Sequence, residues 1–172
     1  MILKDFKLTD YNHFIAFEQR GIFSKSIYLV ITTNDILIGL ELNNKISLEN
    51  LPHLGMLFPD IMNSEQRGDK NNPYSYIKKI ELTKIEKKEL FGKDILSVNK
   101  NNFRIDKVHI NELVFIGIST TKFANSGDIL IETKTETKKH PNPTLQIPKR
   151  KFTLLGIQDY AKIVTYFNTS HL

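Results

Sequence analysis

The chain has 172 residues, enough for one domain with a sizeable core, and carries 24 Lys and Arg against 19 Asp and Glu, a net charge of +5. It contains no Cys, which excludes a disulfide framework, a thiolate nucleophile and Cys-ligated zinc. The charge is uneven: residues 1–60 hold five basic and seven acidic side chains, a net −2, whereas residues 61–172 hold nineteen and twelve, a net +7. A basic surface favours nucleic acid, anionic lipid or acidic protein. Yet only four basic residues are Arg, and Lys, Asn and Ile are abundant together, as an AT-rich coding sequence produces without any partner.

The opening "MILKDFKLTD" has charges at positions 4, 5 and 7 and no apolar centre, so no signal peptide is visible. No run approaches the roughly 18 apolar residues of a membrane helix. The expectation is a cytoplasmic protein forming a single domain over 1–172.

Residues 9–20 read as a short helix, with Thr9 as N-cap, Asp10 in the first turn and Gly21 closing the end. Tyr11, Phe14, Ile15 and Phe17 supply its apolar stripe, suited to packing on a sheet. The stretch "YLVITTNDILIGLEL", 28–42, reads as a β-hairpin around Asn34-Asp35, two residues that tolerate positive φ. Pairing outward sets Thr33 opposite Ile36, Ile31 opposite Ile38, Leu29 opposite Leu40 and Ile27 opposite Leu42. Period-two alternation puts these on one face, seven of the eight aliphatic, as a core wall. The other face is mixed: Tyr28, Val30 and Thr32 against Leu37, Gly39 and Glu41.

Residues 47–73 form an apolar insertion followed by a polar loop. Pro52, Pro59 and Gly55 limit any helix there, and "NSEQRGDKNNP", 63–73, is the strongest loop signal in the chain. Its Arg67-Gly68-Asp69 matches an integrin-recognition tripeptide, a reading set aside for want of a secretion signal. Residues 74–86 read as a strand with Tyr76, Ile80 and Leu82 on one face. Strands over 94–98 and 103–110 flank the turn "NKNN"; further strands cover 112–120, 129–137 and 144–156, the last broken near Pro148. In 157–170 the period changes: Ile157, Tyr160, Ala161, Val164 and Phe167 form a helix face, with Asp159 near its start.

About seven or eight antiparallel strands followed by one amphipathic helix is mainly β with flanking helices. It resembles a pleckstrin-homology-like domain, in which two orthogonal sheets form a small barrel closed by a final helix. "LVITTNDILIGLEL" resembles the early hairpin of the GRAM and bacterial PH-like branch, and "FTLLGIQDYAKIVTYF" the closing strand and helix. The insertion around 51–62 and the N-terminal helix depart from that family. The runner-up is an α+β sheet with helices on one face.

One charged segment stands out. "KKHPNPTLQIPKRK", 138–151, has no acid and places Lys138, Lys139 and His140 before, and Lys149, Arg150 and Lys151 after, a Pro-stiffened stretch. Folded as a hairpin it would concentrate positive charge for a phosphate or an acidic protein face; the bland reading is a solvated hairpin. The resemblance implies an anionic headgroup site beside the barrel loops, though no family lipid motif is matched. His13, His53, His109, His140 and His171 form no metal-binding pair, and Asp106 and His109 fall on opposite faces of a strand. There is no nucleophile elbow around Ser119 and no phosphate-cradling glycine loop. No catalytic residue, metal ligand or cofactor is assigned. The expected function is a non-catalytic binding or adaptor module acting on a protein partner. The alternative is a binder of anionic lipid or nucleic acid through 138–151, and the third reading is an enzyme whose site is assembled from distant residues.

Overall fold

The computed structural model describes residues 1–19, 25–43, 69, 71–117, 128–133 and 150–169. Seven strands lie in one sheet: β1 (His13–Gln19), β2 (Lys25–Thr32), β3 (Ile36–Asn43), β4 (Phe103–Asp106), β5 (Ile110–Gly117), β6 (Asp128–Thr133) and β7 (Arg150–Leu154). Every pairing is antiparallel and the order is β4-β3-β2-β1-β7-β6-β5. Strands β4 and β5 therefore lie at opposite edges, yet only the 3-10 turn Lys107–His109 separates them in sequence. A flat sheet of seven strands would hold its edges about 29 Å apart, whereas the chain from residue 106 to 110 reaches at most about 14 Å. The sheet must curl into a half-barrel. In an odd-numbered antiparallel sheet the two edge strands also point the same way, so β5 runs on from β4 instead of lying alongside it. No β4–β5 pairing occurs among the described residues, and the barrel stays open there.

The curl gives the sheet an inner and an outer wall, and along β1, β2 and β3 both are buried. The hairpin shows why. Ile31 faces Ile38 and Leu29 faces Leu40, as the alternation predicts, and the Thr33 amide closes the turn on the Ile36 carbonyl at 2.9 Å. At the open end a bulge between Ile27 and Tyr28 sets Ile27 opposite Asn43, one residue beyond the expected Leu42. Ile27, Leu29, Ile31, Ile36, Ile38, Leu40 and Leu42 all join one buried cluster on the outer wall. The mixed face is no surface: Tyr28, Val30 and Leu37 belong to the inner cluster with Phe14, Ile105, Ile131, Phe152 and Leu154.

Three elements depart from the sequence expectation. The helix expected over 9–20 is strand β1, preceded by a turn in which Thr9 and Asn12 exchange bonds, Thr9 N–H to Asn12 Oδ1 at 2.8 Å and Asn12 N–H to Thr9 Oγ1 at 3.3 Å. Thr9 closes a turn, not a helix. Phe14 and Ala16 enter the inner core while Ile15 enters the outer, so an apolar stripe on both sides of a central strand imitates a helix face. The strand expected over 74–86 is a 3-10 turn, Pro73–Tyr76, and helix α1 (Lys79–Glu86). Tyr76 and Ile85 pack on the outer wall, and Ile80, which the strand reading set on one face with Tyr76 and Leu82, is 65% exposed. The stretch 94–98 falls in helix α2 (Lys93–Ser97), and 103–110 is divided by the 3-10 turn. These helices, with Leu3 and Leu90, cover the outer wall that a bare hairpin would leave wet.

The closing helix α3 (Tyr160–Thr169) packs beside β5, with Asp159 accepting the Lys162 amide as N-cap. Its buried stripe is Ile163 and Phe167, with Val164 partly buried; Ile157 and Ala161, expected on that stripe, are exposed. Before it, the Gln158 amide takes the place of a strand neighbour. Its Oε1 accepts the Ile15 amide at 2.8 Å and its Nε2 donates to the Ile15 carbonyl at 2.6 Å.

Gly39 on β3 faces Phe103 on β4, and a Cβ at Gly39 would lie 1.9 Å from the Phe103 ring. Gly39→Ala forces that ring away and should lower stability by about 1–3 kcal/mol, read as a lower urea midpoint at unchanged m-value. An unchanged midpoint would mean that the ring has room to move.

Candidate binding surfaces

Of the six residues of the basic segment, Lys138, Lys139, His140 and Lys149 lie outside the described residues. Arg150 and Lys151 open β7, and consecutive strand residues point to opposite faces. Lys151 is exposed, whereas Arg150 faces inward with Phe152 and Leu154. There its guanidinium forms a two-armed bond with Glu18 on β1: Nε donates to Oε1 at 2.8 Å and Nη2 to Oε2 at 2.5 Å, the side chains 12% and 13% exposed. Its Cζ sits 3.6 Å from the Phe103 ring centre, with Tyr28 and Phe152 at 5.4 and 5.5 Å. The expected site residue Arg150 is thus a cation engaged by a carboxylate and three rings.

These side chains line the end of the barrel where β1 and β3 finish and β7 begins, its mouth. Also there is Glu41, opposite Tyr28 and only 4% exposed. Asn101 Nδ2 donates to its Oε2 at 2.7 Å, while its Oε1 has no hydrogen-bond partner. Asn102 Oδ1 accepts the Glu41 amide at 2.8 Å and its Nδ2 donates to the Ile95 carbonyl, and Tyr28 Oη donates to the Asn101 carbonyl. The "NKNN" stretch is a turn, as expected, but instead of joining two strands it clamps α2 to the end of β3. Glu18, Glu41, Asn101 and Asn102 carry no motif. The available signal is a charged residue interrupting each of two otherwise apolar strands.

The opposite end is closed by α3. Lys107, in the link between β4 and β5, is 2% exposed; its ammonium lies 4.5 Å over the Phe167 ring and 3.5 Å from the Phe167 carbonyl near the end of α3. Burial lowers its pKa to about 8, opposed by the charge of Asp35. On the adjoining surface, segment 10–13 gathers partners from two parts of the chain, α3 with its cap and Tyr74. Lys162 bridges Asp10 at 2.9 Å and Asp159 at 3.4 Å, Tyr11 packs on Tyr166 with ring centres 4.9 Å apart, and His13 Nε2 is hydrogen-bonded to Tyr74 Oη. Desolvation lowers the His13 pKa and raises that of Tyr74. The His13–Tyr74 pair is 61 residues apart and has no local signature.

Among the described residues, no group of three His, Cys, Asp or Glu is placed to hold a metal ion, and no helix is long and apolar enough to cross a membrane. Comparison with models of protein families, with curated proteins and with solved structures finds no match.

Two outcomes follow from these contacts. Removing Glu18 leaves the Arg150 guanidinium among aromatic rings without its carboxylate and should cost on the order of 3 kcal/mol. The double variant Glu18→Leu/Arg150→Met should recover much of that loss, so a double-mutant cycle measures the coupling; additive losses would deny it. Lys107 has a folded-state pKa below its ordinary 10.5, so its full stability contribution is present above about 10.5 and is lost as pH falls through about 8. Urea denaturation should show wild type gaining on Lys107→Met as pH rises from about 7 to about 10. Parallel profiles would show that burial carries no cost for this lysine.

Proposed function

We propose that this chain is a non-catalytic binding module of pleckstrin-homology-like architecture, acting in the cytoplasm on a protein partner. The strand order, the opening between β4 and β5 and the closing helix α3 support the PH-like reading. The protein-partner reading rests on the surface around segment 10–13. Tyr11 is 38% and Tyr74 41% exposed, each held in place by a ring contact, and Tyr11 adjoins the Asp10–Lys162–Asp159 bridge. Tyrosine gives large contact area with little rotamer entropy and a hydroxyl at the rim, which is why interfaces are enriched in it. The two inner-wall cations support a non-catalytic role, because Arg150 is bound to Glu18 and Lys107 is packed against Phe167.

The anionic-ligand reading loses Arg150 as a receptor, and a charge reversal there would report on folding. It is tested at Lys149 and Lys151 instead. The decisive experiment uses the full chain as bait in lysate of its native cell, beside the surface variant Tyr11→Ala/Tyr74→Ala. The expected result is a stoichiometric protein partner whose capture falls at least about tenfold with the double variant, a loss of about 1.4 kcal/mol. Bait recovered alone, or equal capture by both proteins, would overturn the reading. Salt-sensitive binding to anionic vesicles or oligonucleotides, abolished by Lys149→Glu/Lys151→Glu, would replace it with the anionic-ligand one.

A further inference from the structure

We propose that the barrel mouth is a receptor for an organic cation, an alkylammonium or guanidinium group, with Glu41 as its anionic anchor. The carboxylate is 4% exposed, one oxygen accepts the Asn101 amide, and the other accepts nothing. A buried carboxylate oxygen without a donor is costly, and native structures reserve such groups for a function or a bound species. The charge balance agrees with the hydrogen bonds. Among the described mouth side chains, Glu18 and Glu41 face one guanidinium, Arg150, and Glu18 takes both of its arms. Glu41 is the one of these two carboxylates that the guanidinium does not engage. A water molecule would satisfy the oxygen but not the charge.

The walls favour an organic cation over a metal ion. A metal needs further anionic or imidazole ligands, and no group of three is placed for one among the described residues. The mouth offers instead what recognises alkylammonium and guanidinium groups, aromatic faces beside a carboxylate. Tyr28 stands opposite Glu41 across β2 and β3, and Arg150, seated 3.6 Å from the centre of Phe103, shows that the rings of this mouth accept a guanidinium. Glu41 lies two residues before the end of β3, at the rim and not in the middle of the barrel. The donors that hold it, Asn101 and Asn102, belong to the turn before β4.

The test is a titration of the full isotope-labelled chain with n-butylammonium and n-butylguanidinium, with neutral n-butanol as control, followed through the backbone amides of Glu41, Asn101 and Asn102. The expected result is saturable shifts for the cations, at about millimolar affinity for ligands of this size, and none for the alcohol. Glu41→Gln keeps the shape and the Asn101 bond but removes the charge, and should weaken cation binding at least about tenfold. Should that variant fail to fold, Glu41→Asp keeps the charge but shortens the reach of the carboxylate and should weaken binding in the same direction. A blocked tripeptide with central Lys or Arg separates the sources: tighter binding than the free amines marks a side chain of a protein, equal binding a small molecule. Cations and alcohol giving the same response, affinity unchanged in both variants, or a crystal structure in which an ordered water alone occupies Glu41 Oε1 in the presence of butylammonium would overturn the proposal. This site is independent of the tyrosine surface, so Tyr11→Ala/Tyr74→Ala should leave the titration unchanged.

Discussion

The structure depends on a three-residue link. Lys107–His109 connects the two edges of a seven-stranded sheet, and so short a connection is compatible only with a sheet rolled on itself. From that curl follow the inner wall, which needs large side chains to fill it, and the open corner between β4 and β5. The link is fastened at both sides. The Lys107 amide donates to the Asp35 carbonyl in the β2–β3 turn at 2.8 Å, and its buried side chain runs to the end of α3. The residue that makes the corner therefore also places the helix that closes the barrel.

At the other end the inner wall becomes polar in a defined order. Gly39 has no side chain, so Phe103 lies flat over it; that ring supports the guanidinium of Arg150, and the guanidinium holds Glu18. Each step requires the one before it. A buried ion pair is a weak source of net stability, because desolvation offsets most of the attraction. Its better-supported consequence here is register: Glu18 pairs with Phe152 across β1 and β7, and the bond from Arg150 opposes a slip of those strands. Among the described residues, Glu41 sits beside this chain of contacts with no hydrogen-bond partner on Oε1.

The two ends thus have different chemistry. The α3 end exposes tyrosines held by ring contacts and ion pairs, a surface suited to a broad, partly apolar protein contact. The mouth holds carboxylates and rings in a confined space, suited to one cationic group. A binding module using both would join area-driven affinity at one end to charge selection at the other.

The hairpin 28–42 was legible because alternation alone sorts Ile27, Leu29, Ile31, Ile36, Ile38, Leu40 and Leu42 onto one wall, and α3 because Asp159 and a change of period mark its start. Strand β1 and helix α1 were not. Burial on both faces blurs the difference between periods of two and 3.6, and what covers a face is decided by segments far away in the chain. The same limit applied to the charges. Composition identified a basic second half, but Arg150 meets Glu18 across 132 residues and His13 meets Tyr74 across 61. What the sequence determined by itself was local: which residues alternate, where turns fall, and that no Cys chemistry is possible. Which charge is engaged and which carboxylate is left over was decided only by tertiary structure, because pairing depends on distances that the curl of the sheet sets.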